Sequence, residues 1–379
     1  MRNSLKLLSI RGVDIRLHFT FPLILIYAAL QFGVLAGSLS GALFGVAAIT
    51  ILFVLVTLHE LGHTFAAQHY GIEVKQIVLS PLGGVAQLRE MPDRPMQELV
   101  IAAAGPAVNF AAAAVMIAAA LVFGQNLTGL IGGLPGAGGF DLPALFRYIF
   151  TANLLLAAFN LLPAFPLDGG RILRALLALR LDYVRATTIS ATIGRLAAVG
   201  LGFYGLLTGG IFMILIAFFI FTAAGQEARY VRYRRLLRGY TVEHAYSATA
   251  YRLHPAMTLR QAADLMLLGK QKSFAVVEDE ALDGFLPVGD LLRALQTQRP
   301  FALVGDLMRR DVMPVLPSEE LFDVERRMIE EQLDALPVVA GGRYLGLITL
   351  DQIDTLRQLV NTVAEIAPSR KAPANLSAG

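Results

Sequence analysis

The chain has 379 residues, of which 55% are hydrophobic and only 16% are charged, and its formal net charge is +3. Because soluble domains carry about 25% charged residues, this composition indicates a membrane protein rather than a soluble one. The chain has no cysteine, which excludes disulfides, thiolate metal ligands and a cysteine nucleophile, and no basic patch suggests binding to nucleic acid.

Six apolar stretches predict membrane-spanning helices, because about 20 apolar residues cross a bilayer as a helix. They are residues 18–36, 42–66, 97–123, 144–166, 187–207 and 209–225. Arg and Lys cluster before the first stretch and after the second, fourth and sixth, while the opposite connections are almost uncharged. The positive-inside rule therefore predicts a multi-pass protein of the cell membrane with both termini in the cytoplasm.

Between the second and third stretches, residues 72–90 are too polar to span a membrane. Their partial alternation around Ser80-Pro81 and Gly83-Gly84 predicts a β-hairpin or small sheet at the cytoplasmic face. An exposed strand edge beside an active site could hold an extended peptide.

The last 140 or so residues have a mixed, charged composition typical of a soluble domain. We predict a basic linker over 226–244 and two similar modules over 245–300 and 301–366. Each module has an apolar-patterned helix, a β-rich run (Ser273–Val277 or Ala335–Val339) and a Gly-containing strand that leads into a helix. Residues 367–379 are predicted to be disordered. The fold class is thus a multi-pass α-helical membrane domain over 1–225, with a cytoplasmic α+β pair.

Residues 59–63 read His59-Glu60-Leu61-Gly62-His63 and end an apolar run. In a helix, positions i and i+4 lie on one face, so the two imidazoles can bind one Zn²⁺ with Glu60 beside it as general base. A pair of interfacial histidines is the alternative, but it does not explain the acid between them.

A catalytic zinc needs a third protein ligand. Asp168 lies at a matching depth, after Pro163 and Pro166, which should end the fourth span, and before the flexible pair Gly169-Gly170. Asp168 could instead cap the helix that follows. The residues alone leave both interpretations open.

Three separated motifs together resemble the site-2 protease family of intramembrane zinc metalloproteases. They are His59–His63, Gly105-Pro106-Ala107-Val108-Asn109, and Asn160 through Gly170. The soluble part is similar to the pair of CBS (cystathionine-β-synthase-type) modules of one subgroup. The resemblance implies that His59, His63 and Asp168 bind one zinc ion, that Glu60 is the base, and that Asn160 lies near the substrate. It also implies cleavage of a single-span membrane protein.

CBS modules often bind adenine nucleotides through a Gly-x-x-Thr/Ser-x-x-Asp pattern. The first module keeps Gly284 and Asp290 but has Pro287 in place of the hydroxyl residue; the second keeps Gly346 and Thr349 but has Gln352 in place of the acid. Each copy lacks one element, so regulation or homodimerisation through the pair is at least as well supported as nucleotide binding.

Two rival functions fit parts of the pattern. A transporter gated by CBS modules could use the His/Asp cluster as an ion pathway, since helices broken by Pro and Gly occur in transporters. It would not need Glu60. An inactive relative that only holds its partner is disfavoured because the ligand set is intact.

Overall fold

The computed structural model describes residues 4–81, 83–88, 94–124, 141–269, 271–297 and 301–366; the predicted disordered tail lies outside them. The chain divides into two compact units, Met1–Val231 and Arg232–Gly379. The helices that begin in the first unit are α1 (Phe21–Ala36), α2 (Leu39–His69), α3 (Pro95–Val122), α4 (Leu142–Asn160), α5 (Asp168–Ala178), α6 (Tyr183–Thr208) and α7 (Ile211–Leu237).

Each of the six predicted spans corresponds to one helix. Within the described residues, five helices are long and apolar enough to cross a membrane, namely α2, α3, α4, α6 and α7. Helix α1 is apolar but has 16 residues, which is about 24 Å of helix. It packs closely on α2, since a Cβ added to Gly45 would lie 2.5 Å from the Ala28 carbonyl oxygen.

The fourth span ends earlier than predicted. Helix α4 stops at Asn160 rather than at residue 166, because the prolines at 163 and 166 cannot donate backbone hydrogen bonds to a continuing helix. A turn over residues 161–167 then leads directly into α5, whose first residue is Asp168. The amphipathic α5 is a separate short helix, so the fourth span does end before Asp168, as the two prolines indicate.

A four-stranded sheet lies against α2, in the order β1 (Ser4–Ile10), β2 (Val13–His18), β3 (Val74–Ser80) and β4 (Gly83–Leu88). The predicted hairpin is confirmed as β3–β4, with Ser80 opposite Gly83. Strands β1 and β2 were not predicted; β2 runs parallel to β3. Val13 and Ile77 are fully buried and pack with apolar residues of α2, which fixes the sheet beside the histidine-bearing helix.

The second unit consists of two small sheets covered by helices. Its strands are β5 (Arg252–Leu253), β6 (Phe274–Glu278), β7 (Ala281–Leu286), β8 (Ala335–Ala340) and β9 (Arg343–Thr349); its helices are α8 (Leu259–Gly269), α9 (Val288–Gln296), α10 (Val304–Leu307), α11 (Leu321–Glu331) and α12 (Leu350–Ile366). Both predicted β-rich runs are strands, β6 and β8. The segment predicted as a linker, 226–244, is helical as far as Leu237.

The two halves of this unit exchange strand partners. Ser247, before the first sheet, exchanges backbone hydrogen bonds with Leu347 in β9, and Arg309 exchanges them with Phe285 in β7. One apolar core contains buried side chains from the strands of both halves. The halves therefore form one folded pair rather than two independent domains.

Candidate metal centre and active site

Helix α2 places two imidazoles on one face, and the start of α5 brings a carboxylate to them. The Nε2 atoms of His59 and His63 are 3.1 Å apart. Asp168 Oδ2 lies 3.2 Å from His59 Nε2 and 3.3 Å from His63 Nε2. All three side chains are largely buried. Among the described residues, this is the group of His, Asp or Glu side chains arranged to hold a metal ion.

The spacing of these three atoms fits a zinc ion. Tetrahedral zinc with ligand bonds of about 2.0–2.1 Å places neighbouring ligand atoms about 3.3–3.4 Å apart. The observed separations of 3.1–3.3 Å are close to this value. Two neutral imidazoles and one carboxylate are also a donor set that zinc enzymes use, and they leave a fourth position for water.

Glycine 105 of α3 provides the space that such an ion requires. A Cβ added to Gly105 would lie 2.7 Å from His59 Nε2 and would collide with His63 Nε2. It would therefore stand where the lone pairs of both ligand atoms converge. Any larger residue would fill this space, so the glycine at position 105 is explained by the metal site and not by helix flexibility.

The other nitrogen of each imidazole contacts an oxygen on α3. His59 Nδ1 is 2.5 Å from Asn109 Oδ1, and His63 Nδ1 is 2.7 Å from the Ile101 carbonyl oxygen. Because these oxygens can only accept, both Nδ1 atoms donate, and both Nε2 lone pairs face Asp168. Such partners fix the tautomer and the ring orientation of metal-binding histidines.

Asn109 is itself held by α4. Its Nδ2 donates to Asn153 Oδ1 at 2.7 Å, and Asn153 Nδ2 donates to the Asn109 carbonyl oxygen at 2.9 Å. Both asparagines are buried, so this reciprocal pair fixes which way the Asn109 amide points. Asn109 ends the Gly105–Asn109 motif noted in the sequence, whereas Asn153 was not predicted to be functional, although an amide within an apolar helix is a recognisable signal.

The turn before α5 packs tightly against the start of that helix, because the second and third residues of α5 are glycines. A Cβ on Gly169 would collide with the carbonyl oxygens of Leu161 and Leu162, and one on Gly170 would lie 2.6 Å from the Phe165 nitrogen. The backbone on either side of Asp168 thus folds back on the end of α4. This packing, rather than a capping interaction of its side chain, positions the Asp168 carboxylate.

Glu60 lies between α2 and the edge strand of the sheet. A Cβ on Gly84 of β4 would lie 2.7 Å from Glu60 Cγ, so the strand backbone passes directly beside the carboxylate-bearing side chain. Glu60 is half-buried. Asn160, the last residue of α4, is also half-buried, and the turn over 161–167 links it to Asp168. The catalytic roles of both residues stay predictions.

Known proteins are similar to this chain over most of its length. The family model for peptidase family M50 matches residues 47–135 and 137–201, and that for the CBS domain matches residues 304–356. Zinc metalloprotease MJ0392 of Methanocaldococcus jannaschii is 33% identical over 95% of this chain and 97% of its own length. The chain belongs to peptidase family M50. It is a multi-pass membrane metalloendopeptidase with a C-terminal CBS-domain pair, and the predicted site-2 protease resemblance is confirmed.

Other M50 relatives match over nearly the whole chain. Putative zinc metalloprotease Rip3 of Mycobacterium tuberculosis is 29% identical over 94% of this chain and 93% of its own length. A solved site-2 protease of Methanocaldococcus jannaschii is 37% identical and covers 59% of this chain and 95% of its own, with a TM-score of 0.44. The M50 match includes α2, α3, α4 and α5, which carry the residues of the metal centre.

Proposed function

We propose that this M50 peptidase cuts the transmembrane segments of single-span membrane proteins, with His59, His63 and Asp168 as its zinc ligands. The observation that carries the proposal is the ligand triangle of 3.1–3.3 Å edges, formed by two histidines of α2, which is long enough to cross a membrane, and by the first residue of the short helix α5. Polar residues at this depth are costly, so their convergence on one point supports a catalytic role.

Peptide-bond hydrolysis at this site would also need a base and a hydrogen-bond donor, and Glu60 and Asn160 can fill these roles. A zinc ion held by His59, His63 and Asp168 would supply Lewis-acid chemistry, because it would lower the pKa of a water toward about 7 and polarise a carbonyl. Glu60 accepts a proton from the attacking water and then delivers it to the leaving amine nitrogen. The Asn160 amide donates a hydrogen bond to the scissile carbonyl oxygen as negative charge develops on it. A transporter would have no use for Glu60.

The edge of β4 supports binding of an unwound peptide. In the described sheet, β4 pairs with β3 on one side and is the terminal strand on the other. A Cβ added to Gly84 of this strand would lie 2.7 Å from Glu60 Cγ, so the strand passes close beside the Glu60 side chain. A substrate segment added as a further strand would present its peptide bonds beside the base, whereas a helical substrate would keep its carbonyls in internal hydrogen bonds.

We also propose that both termini lie in the cytoplasm and that the CBS pair regulates access to the site. In the second unit, a cavity of about 680 Å³ is lined by residues that include Thr349, Asp351 and Gln352. It would suit an adenine nucleotide in size, but the Gln352 side-chain oxygen accepts a hydrogen bond from the Thr349 backbone N–H, and Thr349 Oγ1 accepts one from the Gln352 backbone N–H. We expect weak binding of ATP or AMP by calorimetry and a homodimer formed through the pair.

The decisive experiment is reconstitution of the purified chain in liposomes with candidate single-span proteins, with and without a chelator. Cleavage should require one zinc ion per chain and should stop in the presence of the chelator. The Asp168→Ala variant should lose zinc by elemental analysis, and undiminished zinc in it would remove Asp168 from the site. A chain truncated after Gly239 tests the regulatory role: it should keep its zinc and show altered cleavage rates.

A further inference from the structure

Arg174 is a fully buried cation in the described part of the first unit. It lies on α5, six residues after Asp168, and is 1% exposed. Its Nε donates to Glu98 Oε1 of α3 at 2.7 Å, and its Nη2 donates to the same oxygen. Its Nη1 donates to Glu227 Oε1 of α7 at 2.5 Å. One guanidinium thus ties three helices together.

Two aromatic rings cover the faces of the guanidinium. The Phe165 ring centroid is 4.8 Å from Arg174 Cζ, and the Tyr183 centroid is 5.1 Å away. Phe165 belongs to the turn that precedes Asp168, so Arg174 contacts the chain on both sides of that ligand. Arg is suited to this position because its planar group can stack on rings and donate in several directions at once.

One partner of Arg174, Glu98, lies on the same helix as the residue that orients His63. Glu98 lies three residues before Ile101, whose carbonyl oxygen orients His63. The Arg174–Glu98 pair therefore fixes the helix that carries Asp168 against the helix that orients an imidazole. A buried ion pair is a weak source of stability, because desolvation offsets its attraction. Its directional hydrogen bonds make it better suited to fixing position.

We propose that Arg174 is a positioning residue that sets the separation between Asp168 and the two imidazoles, and that Glu227 makes this separation depend on the cytoplasmic end of α7. The inference rests on the zinc site proposed above. Helix α7 continues without a break to Leu237. A shift of its end would strain the Arg174–Glu227 contact and so move α5, which would change the metal geometry without any change in the ligands.

The test uses the full chain in detergent and the variants Arg174→Lys and Glu227→Gln. A lysine keeps the positive charge, but it lacks the planar guanidinium that donates to the carboxylates of Glu98 and Glu227 in fixed directions. Arg180→Lys is the matched control, because Arg180 follows the same helix and is exposed. Two quantities are measured, the affinity for Zn²⁺ in competition with a chromophoric chelator and the absorption spectrum of the Co²⁺-loaded protein, which reports ligand geometry.

We expect Arg174→Lys to lower zinc affinity by about 10-fold, the lower end of the range for loss of a direct partner of a metal ligand, because Arg174 acts through the helices and not on a ligand atom. Glu227→Gln should lower it about fivefold, because a neutral hydrogen bond is roughly half as strong as a charge-assisted one. The double variant should bind zinc with the same affinity as Arg174→Lys alone, since both changes act through one contact. Arg180→Lys should match the wild type.

Wild-type zinc affinity and an unchanged cobalt spectrum in a folded Arg174→Lys protein would overturn the inference. If that variant does not fold, Glu227→Gln decides: its acceptor shape is preserved and Glu227 is 20% exposed, and a wild-type affinity and spectrum in it would overturn the inference. A wild-type chain that binds no zinc would overturn the metal site and this inference together. Zinc binding that is unchanged in Arg174→Lys, in Glu227→Gln and in the double variant would refute only the role of Arg174.

Discussion

Replacing Gly105 by alanine should weaken zinc binding without unfolding the protein. The new methyl would lie 2.7 Å from His59 Nε2 and closer still to His63 Nε2, well inside normal contact distance. Overpacking of this kind costs about 1–3 kcal/mol. If that cost falls on the zinc-bound state, zinc affinity drops by about 5- to 140-fold, since 1.4 kcal/mol is a factor of ten. Alanine is otherwise favoured over glycine in a helix by about 1 kcal/mol.

The matched control for this change is Gly200→Ala. Gly200 lies in α6, and an added Cβ there meets nothing within 4 Å, so this variant gains the helix propensity without the collision. Zinc affinity by chelator competition and the unfolding temperature should be measured on both proteins. Gly105→Ala with wild-type zinc affinity would refute the claim that this position is a cradle for the ion.

Three further changes probe separate parts of the proposal. Glu60→Gln should abolish cleavage while one zinc per chain is retained, because an amide has nearly the same shape but cannot accept a proton; retained proteolysis would mean that Glu60 is not the base. Asn153→Ala should leave the Asn109 amide without its partner and lower zinc affinity by about tenfold in chelator competition; an unchanged affinity would reduce Asn153 to helix packing. A cysteine placed at Ser247 should resist an impermeant thiol reagent added outside intact cells, and labelling there would reverse the proposed topology.

The residues of the metal centre were predictable because their chemistry is out of place in a bilayer. His59, Glu60 and His63 end an apolar run, and Asp168 follows two prolines that must end a helix. Local rules of spacing and helix breaking predicted one depth for these groups, whereas the choice of Asp168 as a ligand rather than a helix cap came from the family resemblance. The β3–β4 hairpin was predictable for the same reason, since its turn residues and alternation are local signals.

The first two strands were missed although one of them carries a local signal. Val13, Ile15 and Leu17 alternate with polar residues in β2, but the basic residues nearby were interpreted only as a topology signal. The parallel pairing of β2 with β3, such as Ile15 with Ile77, joins positions far apart in the sequence, and no local rule predicts it.

The Arg174 cluster could not have been predicted from a single sequence. Glu98, Arg174 and Glu227 lie in three separate helices, α3, α5 and α7, and each has other charged residues near it in the sequence. What distinguishes them is their mutual contact, which joins α3, α5 and α7 across the bundle. Three charges that look like surface residues one at a time form a buried network only when the packing of the helices is known.

The close packing of α2 and α3 also predicts that zinc is dispensable for folding. A Cβ on Gly62 would lie 2.8 Å from the Ala104 carbonyl oxygen, so the helix separation is set by backbone contact and not by the metal. The imidazoles are already oriented by Asn109 and Ile101. Zinc should therefore add only its binding free energy to the folded state, which is about 2.7 kcal/mol at 100 times its Kd.

That contribution corresponds to a fall in unfolding temperature of about 5–10 °C for a unit of this size. Chelation should accordingly abolish cleavage, lower the unfolding temperature by no more than this, and leave the helical circular dichroism signal unchanged in detergent. Restoring Zn²⁺ should restore both activity and unfolding temperature. Loss of helical signal on chelation would mean that the metal holds α2 and α5 together, as in small domains that fold only around their zinc, and that the glycine contacts do not preorganise the site.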